Sequence, residues 1–192
     1  MAALISIKTN FQDVAKQLKK VSDDIGKKAI VRALNTTIQQ GQTEMARSIS
    51  KEYRMTVGVA KKRLKVTRAS AKGPLAFEAK LEATRRMKGR SMNVIQFVTG
   101  SRNPKGGRQL GFKIKRGGPV KRIPGAFVAN NGRTVFVREG KKRLPIAPKS
   151  TIDIPQMFNA RRINQAVRAS IIKRFQGNFD RELRAVLGGF AK

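Results

Sequence analysis

Positive charge is the property that most restricts how this chain can fold and what it can bind. Its 43 Lys and Arg residues face only 11 Asp and Glu residues, which gives a formal net charge of +32 over 192 residues. A compact protein with this charge repels itself, so it should meet counter-charge on a nucleic acid, an anionic membrane or an acidic protein. Hydrophobic residues make up 40% of the chain, which permits a packed core and argues against a disordered basic tail.

Two residue types that carry much of protein chemistry are missing. The chain has no Cys and no His, so disulfides, thiolate and imidazole metal ligands, and Ser-His-Asp or Cys-His catalysis are excluded. No apolar stretch approaches the roughly 18 residues of a membrane-spanning helix. We therefore expect no cofactor, no resident metal and no membrane partner, and a protein that is used in a cytoplasm or carried in a particle.

Apolar residues spaced by three and four predict three helices in the first third of the chain. A short amphipathic helix is predicted over residues 11–21 and a longer one over residues 23–49, which Gly41 is expected to weaken or kink. Thr56 is a candidate N-cap for a third helix, which reaches Leu64 and has a basic face.

Alternating apolar and polar residues predict strands in the middle of the chain. Residues 75–83 alternate most regularly, and residues 94–98 and 110–114 suggest further strands on either side of a basic loop at 100–108. The strongest local signal is the Asn131-Gly132 pair between two short apolar runs, because Asn-Gly favours the positive φ of a tight turn. It predicts a β-hairpin.

The last predicted element is a long helix. After an extended connector marked by prolines, its apolar stripe runs from Ile163 to Leu187, with Asn159 as a candidate N-cap and Gly188 as the expected end. The predicted fold class is α+β, with N-terminal helices, a central and mainly antiparallel β-sheet with a hairpin, and a long C-terminal helix. We expect a single domain over residues 1–192, with helices over about 10–64, strands over about 65–147 and the last helix over about 159–187.

The acidic residues are too scattered to predict a catalytic pair. Glu78 and Glu82 share the polar face of a predicted strand, and the other close pairs fit a helix cap and a helix surface. A two-carboxylate site needs side chains that converge, which adjacent surface acids do not provide. The glycine-rich segments at residues 105–108 and 116–118 lack the spacing of a P-loop, so we interpret them as basic loops.

Most of the positive charge lies in the middle of the chain. Residues 61–149 contain 25 Lys and Arg residues and three acidic ones, about two thirds of the net charge in under half of the length. Neutralisation of phosphates is the simplest explanation, with an affinity that falls steeply with salt. The aromatic residues fall mostly at core positions, so base stacking is not predicted. The candidate DNA-facing residues are Lys61, Lys62, Arg63, Arg85, Arg86, Lys88, Arg90, Lys113, Lys115, Arg116, Lys121 and Arg122.

Two segments after the strand region resemble a known family. They are PGAFVANNGRTVFVREGKKRLPI, from Pro124 to Ile146, and STIDIPQMFN, from Ser150 to Asn159. The order of a Gly-Ala-Phe strand, a Val-Phe-Val-Arg strand, an Arg-Leu-Pro-Ile run and a Pro-Gln-Met-Phe turn is similar to that of the minor tail protein Z family. Members of this family are tail completion proteins of long-tailed phages and prophages.

The resemblance implies a structural protein without enzymatic activity, placed in the virion at the neck. Its implied partners are the tail terminator, the tail tube protein, the head-tail connector proteins, the genomic DNA that passes through the neck, and further copies of the chain in a ring, expected to be a hexamer. The candidate contacts with subunits or partners are Lys141, Lys142, Arg143, Leu144, Met157 and Phe158.

Two other functions are compatible with the sequence. A free nucleic-acid-binding protein would bind isolated DNA or RNA tightly and salt-sensitively without an assembly partner. A nuclease of the neck region would require carboxylates such as those of Glu78 and Glu82 to converge in space.

Overall fold

The protein is an α+β structure with two long helices and three small antiparallel sheets, which confirms the predicted fold class. The computed structural model describes residues 3–8, 23–70, 77–83, 91–102 and 109–190, so the helix predicted over residues 11–21 lies outside the described residues. In chain order the elements are β1 (Ala3–Lys8), α1 (Asp23–Glu52), α2 (Val57–Lys61), β2 (Leu64–Thr67), β3 (Glu78–Ala83), a 3-10 helix (Val94–Phe97), β4 (Val98–Thr99), β5 (Gly111–Phe112), β6 (Lys121–Arg122), β7 (Ala126–Ala129), β8 (Thr134–Arg138), β9 (Ile146–Pro148), α3 (Ile154–Phe158) and α4 (Arg161–Phe190).

The packing of α1 against α4 is the largest contact between two elements. In this interface, a Cβ atom added to Gly41 would lie 2.6 Å from Cδ1 and 2.9 Å from Cγ1 of Ile171, so glycine leaves room on α1 for the side chain of Ile171. Gly41, which was expected to weaken or kink this helix, does not interrupt α1, which runs unbroken over 30 residues. Close packing of α4 offsets the low helix propensity of glycine.

A buried polar cluster lies within the same interface. The side-chain Nδ2 of Asn178 donates to Oγ1 of Thr37 at 2.8 Å and to Oε1 of Gln40 at 3.1 Å. Thr37 is fully buried and Asn178 is 6% exposed. Because buried polar groups are costly without partners, these hydrogen bonds fix how the two helices align.

Replacement of Asn178 by alanine should therefore destabilise the protein. The substitution removes the donor that Thr37 and Gln40 share, and we expect the free energy of unfolding to fall by about 1–3 kcal/mol. Chemical denaturation measures this change. The exposed Gln165 on α4 provides the control, since Gln165→Ala should stay within about 0.5 kcal/mol of the wild type. Equal effects of both variants would contradict the prediction.

The first sheet joins the beginning of the chain to its middle. Its strand order is β1-β3-β2, with Ile5 and Val66 paired with Leu81 from opposite sides. The strand predicted over residues 75–83 is confirmed over Glu78–Ala83, where Ala79, Leu81 and Ala83 are buried, while residues 75 and 76 lie outside the described residues. Strand β1 was not predicted, although Ala3, Ile5 and Ile7 alternate with their neighbours.

The strand predicted over residues 94–98 is largely wrong. Residues Val94–Phe97 form a 3-10 helix, and only Val98 and Thr99 are extended. Oδ1 of Asn93 accepts the backbone N–H groups of Ile95 at 3.0 Å and Val135 at 2.9 Å. This side chain offers the backbone an alternative to the strand ladder, which turns the chain inward and buries Phe97.

The predicted hairpin is confirmed as β7 and β8, with a third strand, β9, on the other side of β8. Asn130, Asn131 and Gly132 all have positive φ, as the turn requires. Phe127 and Phe136 stack at 6.2 Å, and the guanidinium carbon of Arg138 lies 4.6 Å from the centroid of Phe127. Strand β9 lies in the segment that the prolines predicted to be an extended connector.

The boundaries of the last helix differ from the prediction at both ends. Asn159 does not cap α4, because its N–H donates to the carbonyl of Pro155 at 3.0 Å and thereby closes the short helix α3. Helix α4 starts at Arg161 and continues past Gly188 to Phe190. Glycine lowers helix propensity by about 1 kcal/mol per residue, which does not force a long packed helix to end.

The core lies between α1, α4 and the first sheet. Its buried members include Ile30, Leu34 and Ile38 of α1, with Val167 of α4 and Leu81 of β3. A second, small cluster under the hairpin contains Val94, Ile95 and Val135. Apart from the largely buried pair of Arg63 and Asp153, the charged residues of the described part of the chain lie mainly on the outer surfaces of the helices and on the short strands and loops.

Candidate binding surfaces

The predicted basic helix contributes only part of its charge to the surface. Its N-cap is confirmed, since Oγ1 of Thr56 accepts the N–H of Val59 at 3.4 Å, but the helix ends at Lys61 and Leu64 begins β2. Lys61 and Lys62 are exposed, and Nζ of Lys61 donates to Oγ1 of Thr43 at 3.2 Å.

Arg63, which was predicted to face DNA together with Lys61 and Lys62, points into the protein. Its Nη1 lies 3.2 Å from Oδ1 of Asp153, and the two side chains are 14% and 1% exposed. Asp153 also caps α3: its carboxylate accepts the N–H of Ile154 at 2.8 Å, while its own N–H donates to Oε1 of Gln156 at 2.9 Å. The expected DNA-facing role of Arg63 is therefore corrected, because its head group binds a buried carboxylate.

Lys115 and Arg116, which were also predicted to face DNA, lie near the end of α1. The Nε of Arg116 donates to the carbonyl of Ser50 at 2.7 Å, and Nζ of Lys115 lies 3.6 Å from Oε1 of Glu52. Lys115 and Lys121 are brought together at the edge of a small cavity of about 260 Å³, whose apolar wall includes Phe112.

The remaining members of the predicted set differ in exposure. Lys113 is half-buried, whereas Arg116, Lys121 and Arg122 are exposed. Arg85, Arg86, Lys88 and Arg90 lie outside the described residues.

The predicted partner-contact residues separate into an exposed and a buried group. Lys141, Lys142, Arg143 and Leu144 are exposed, and the side chain of Leu144 is 65% accessible. Met157 and Phe158 are instead 0% exposed and pack in the core of the same chain. Their apolar side chains complete the short helix α3, so the structure removes them from the surface that was expected to contact partners.

Sequence reasoning missed a polar groove that crosses α1. Its volume is about 790 Å³, its floor is the polar face of α1, and its walls come from α2 and β2 on one side and α4 on the other. Four cations reach it, three from different helices and one from the residue that follows β2, and only one of them, Lys61, was predicted. A polar stripe at residues 36, 40, 43 and 47 was the available signal, since this spacing places side chains on one helix face. The cations are Arg47, Lys61, Arg68 and Arg174.

Within the described part of the chain, the carboxylates of Glu78 and Glu82 are not grouped with a third acid. They lie on the same face of β3, and Glu78 lies 3.4 Å from Nζ of Lys80 between them. Among the described residues, no three His, Cys, Asp or Glu side chains are grouped as a metal site would require.

Tyr53, the only tyrosine, is a core residue. It is 3% exposed, and burial together with the neighbouring Glu52 carboxylate raises the pKa of its phenol. Its ring is therefore not a surface on which a base could stack.

The described residues thus define a class: a cationic α+β protein whose distinctive features are exposed basic patches and a polar groove. No helix in the described part of the chain is long and apolar enough to cross a membrane.

Comparison with protein families identifies the group within this class. The family described as prophage minor tail protein Z (GPZ) matches residues 10–188, almost the whole chain. The chain belongs to this family, which confirms the predicted resemblance. It is therefore a virion-associated structural protein of a phage tail, and its partners are other tail or virion components. No similar curated protein and no similar solved structure was found.

Proposed function

We propose that the protein completes the phage tail and joins it to the head. It acts at the end of the tail tube with the tail terminator and the head-tail connector proteins, without catalysis, after synthesis in the host cytoplasm. The chain works as one domain and assembles into a homo-oligomeric ring, expected to be a hexamer. The observation that carries this proposal is the family match over residues 10–188.

The positive charge supports a position near the DNA path. A ring around a DNA channel gains from basic residues on its inner surface, because phosphates supply the counter-charge that the chain itself lacks. The exposed residues that remain candidates for this surface are Lys61, Lys62, Lys115, Arg116, Lys121 and Arg122.

The loop between β8 and β9 is the proposed contact with a neighbouring tail component. It presents the exposed cations Lys141, Lys142 and Arg143 beside Leu144, whose side chain is 65% accessible. An apolar side chain surrounded by charges resembles the centre and rim of a protein interface.

In vitro complementation tests the proposal. An extract of phage-infected cells that lacks the protein should accumulate separate heads and tails, and added wild-type protein should restore joined, infective particles. The variant Lys141→Glu/Lys142→Glu should complement at least about tenfold less well, because reversed charges at an interface disfavour docking.

The control reverses two exposed charges outside the loop, in Arg161→Glu/Arg162→Glu, which should complement like the wild type. Heads and tails that join without the protein would overturn the proposed function. A protein that stays monomeric and binds no tail component would favour the alternative, a free nucleic-acid-binding protein.

A further inference from the structure

The polar groove across α1 has the composition of a ligand site. Its volume of about 790 Å³ lies within the range typical of binding sites. Amide and hydroxyl side chains cover its floor, and Val66 is the one aliphatic side chain among its described lining residues. The floor residues are Thr36, Gln39, Gln40, Gln42 and Thr43.

Hydrogen bonds hold much of this floor in place. Nε2 of Gln42 donates to the carbonyl of Leu64 at 2.7 Å, and Oε1 of Gln40 accepts from the buried Asn178. Oγ1 of Thr43 donates to the carbonyl of Gln39 at 3.2 Å. A ligand would therefore meet donors and acceptors that are already ordered, which lowers the entropy cost of binding.

The groove carries unbalanced positive charge. Its four cations face one carboxylate, that of Glu44, which already lies 3.3 Å from Nη2 of Arg174. Arg47 and Arg68 are exposed and form no ion pair with any described residue. Arg47 comes from α1 and Arg68 follows β2, so two guanidinium groups reach the same groove from different elements.

The side chains that line the groove favour some anionic ligands over others. A folded protein partner needs an apolar interface centre, which a groove with one valine does not offer. Bases would need aromatic side chains to stack on, and none lines the described groove. Guanidinium, amide and hydroxyl groups together match phosphate and sugar oxygens.

We propose that this groove binds the sugar–phosphate backbone of a nucleic acid, with Arg47 and Arg68 as its phosphate contacts. Base stacking does not contribute to binding, since no aromatic side chain is among the described residues that line the groove. The site is separate from the basic residues predicted from the sequence, apart from Lys61. It goes beyond the proposed function, and it is tested on the isolated protein.

Salt-dependent binding to a random DNA duplex of about 30 base pairs, followed by fluorescence anisotropy, tests the two arginines. Each phosphate contact contributes about 0.9 to the slope of log affinity against log salt concentration. Arg47→Gln/Arg68→Gln should therefore lower that slope by about 2 and weaken binding on the order of a hundredfold at about 50 mM salt.

The matched control is Arg161→Gln/Arg162→Gln, which removes the same charge from the start of α4. These residues are about 13 positions, or roughly 20 Å, from Arg174 along the helix. The control should retain most of the wild-type slope. Equal losses in both double variants would overturn the proposal, because they would show that binding depends only on diffuse charge.

Alkylation protection locates the bound DNA independently of the arginines. Because the chain has no cysteine, Gln39→Cys places a single thiol on the groove floor, and Gln165→Cys places one on the exposed surface of α4. DNA should slow alkylation of the first thiol several-fold and leave the second unchanged.

Polyglutamate of similar charge tests the other class of polyanion. If it protects the thiol at position 39 as well as DNA does and responds equally to Arg47→Gln/Arg68→Gln, the groove is a site for acidic peptides and the proposal is wrong. Complementation of tail joining is a separate measurement. The proposal for the groove can therefore be wrong while the proposed function is right, and the proposed function can be wrong while the groove binds DNA.

Discussion

Replacement of Asp153 by alanine should lower the free energy of unfolding by about 3–5 kcal/mol. The carboxylate of Asp153 is 1% exposed and holds Arg63, whose side chain is 14% exposed, at 3.2 Å. The same carboxylate caps α3 through the N–H of Ile154. Its removal deletes the ion pair with a largely buried guanidinium and leaves the first turn of α3 without its side-chain cap.

Urea denaturation of Asp153→Ala and Asp153→Asn separates these two contributions. The asparagine variant keeps an oxygen that can cap α3 but loses the charge, so it should be destabilised less than the alanine variant. Asp180, which is exposed on α4, provides the control, since Asp180→Ala should change stability by no more than about 0.5 kcal/mol. If Asp153→Ala were as stable as that control, the assigned role of the buried ion pair would be refuted.

Replacement of Gly41 by valine should destabilise the protein by about 3 kcal/mol. The Cβ alone would lie 2.6 Å from Cδ1 of Ile171, and the two methyl groups of valine need still more room. This overpacking outweighs the gain in helix propensity from removing a glycine, which is at most about 1 kcal/mol. The midpoint of denaturant unfolding measures the result.

Gly177 on α4 is the matched control for this effect, because a Cβ there meets nothing within 4 Å. Gly177→Val should leave stability unchanged or raise it slightly. Truncation of Ile171 to alanine in the Gly41→Val background should cost less than the same truncation in the wild type, since it makes room for the valine. Independent, additive effects at positions 41 and 171 would contradict the close approach of α1 and α4.

Local sequence signals predicted the elements that depend on neighbouring residues. The apolar stripe of α1, the alternation in β3 and the Asn131-Gly132 turn each act over a few residues, and the structure places a helix, a strand and a hairpin there. Predictions failed where hydrogen bonds of an asparagine outweighed the local pattern of apolar and polar residues. Asn93 bonds to the backbone and converts a predicted strand into a 3-10 helix, and Asn159 ends one helix where it was expected to begin another.

The binding surfaces were less predictable, because they depend on contacts between distant residues. Arg63 follows Lys61 and Lys62 in sequence and was indistinguishable from them, yet a partner 90 positions away draws it inward. Met157 and Phe158 were likewise assigned to a surface, and only the packing of α3 shows that they are buried. The groove brings together cations from three helices and from the residue after β2, so no single segment of the sequence predicts it.

The pairing of α1 with α4 also sets the order in which the protein can fold during translation. Thr37 and Asn178, which meet in that interface, are 141 positions apart. Ribosomes add roughly 5–20 residues per second, so the apolar face of α1 waits on the order of 10 seconds for its partner helix to be made. During that interval the nascent chain exposes the apolar residues of α1 that pack on α4, in a chain with a high density of positive charge. Folding therefore completes late in synthesis, and molecular chaperones can reach the part of α1 that α4 later covers until α4 has been made.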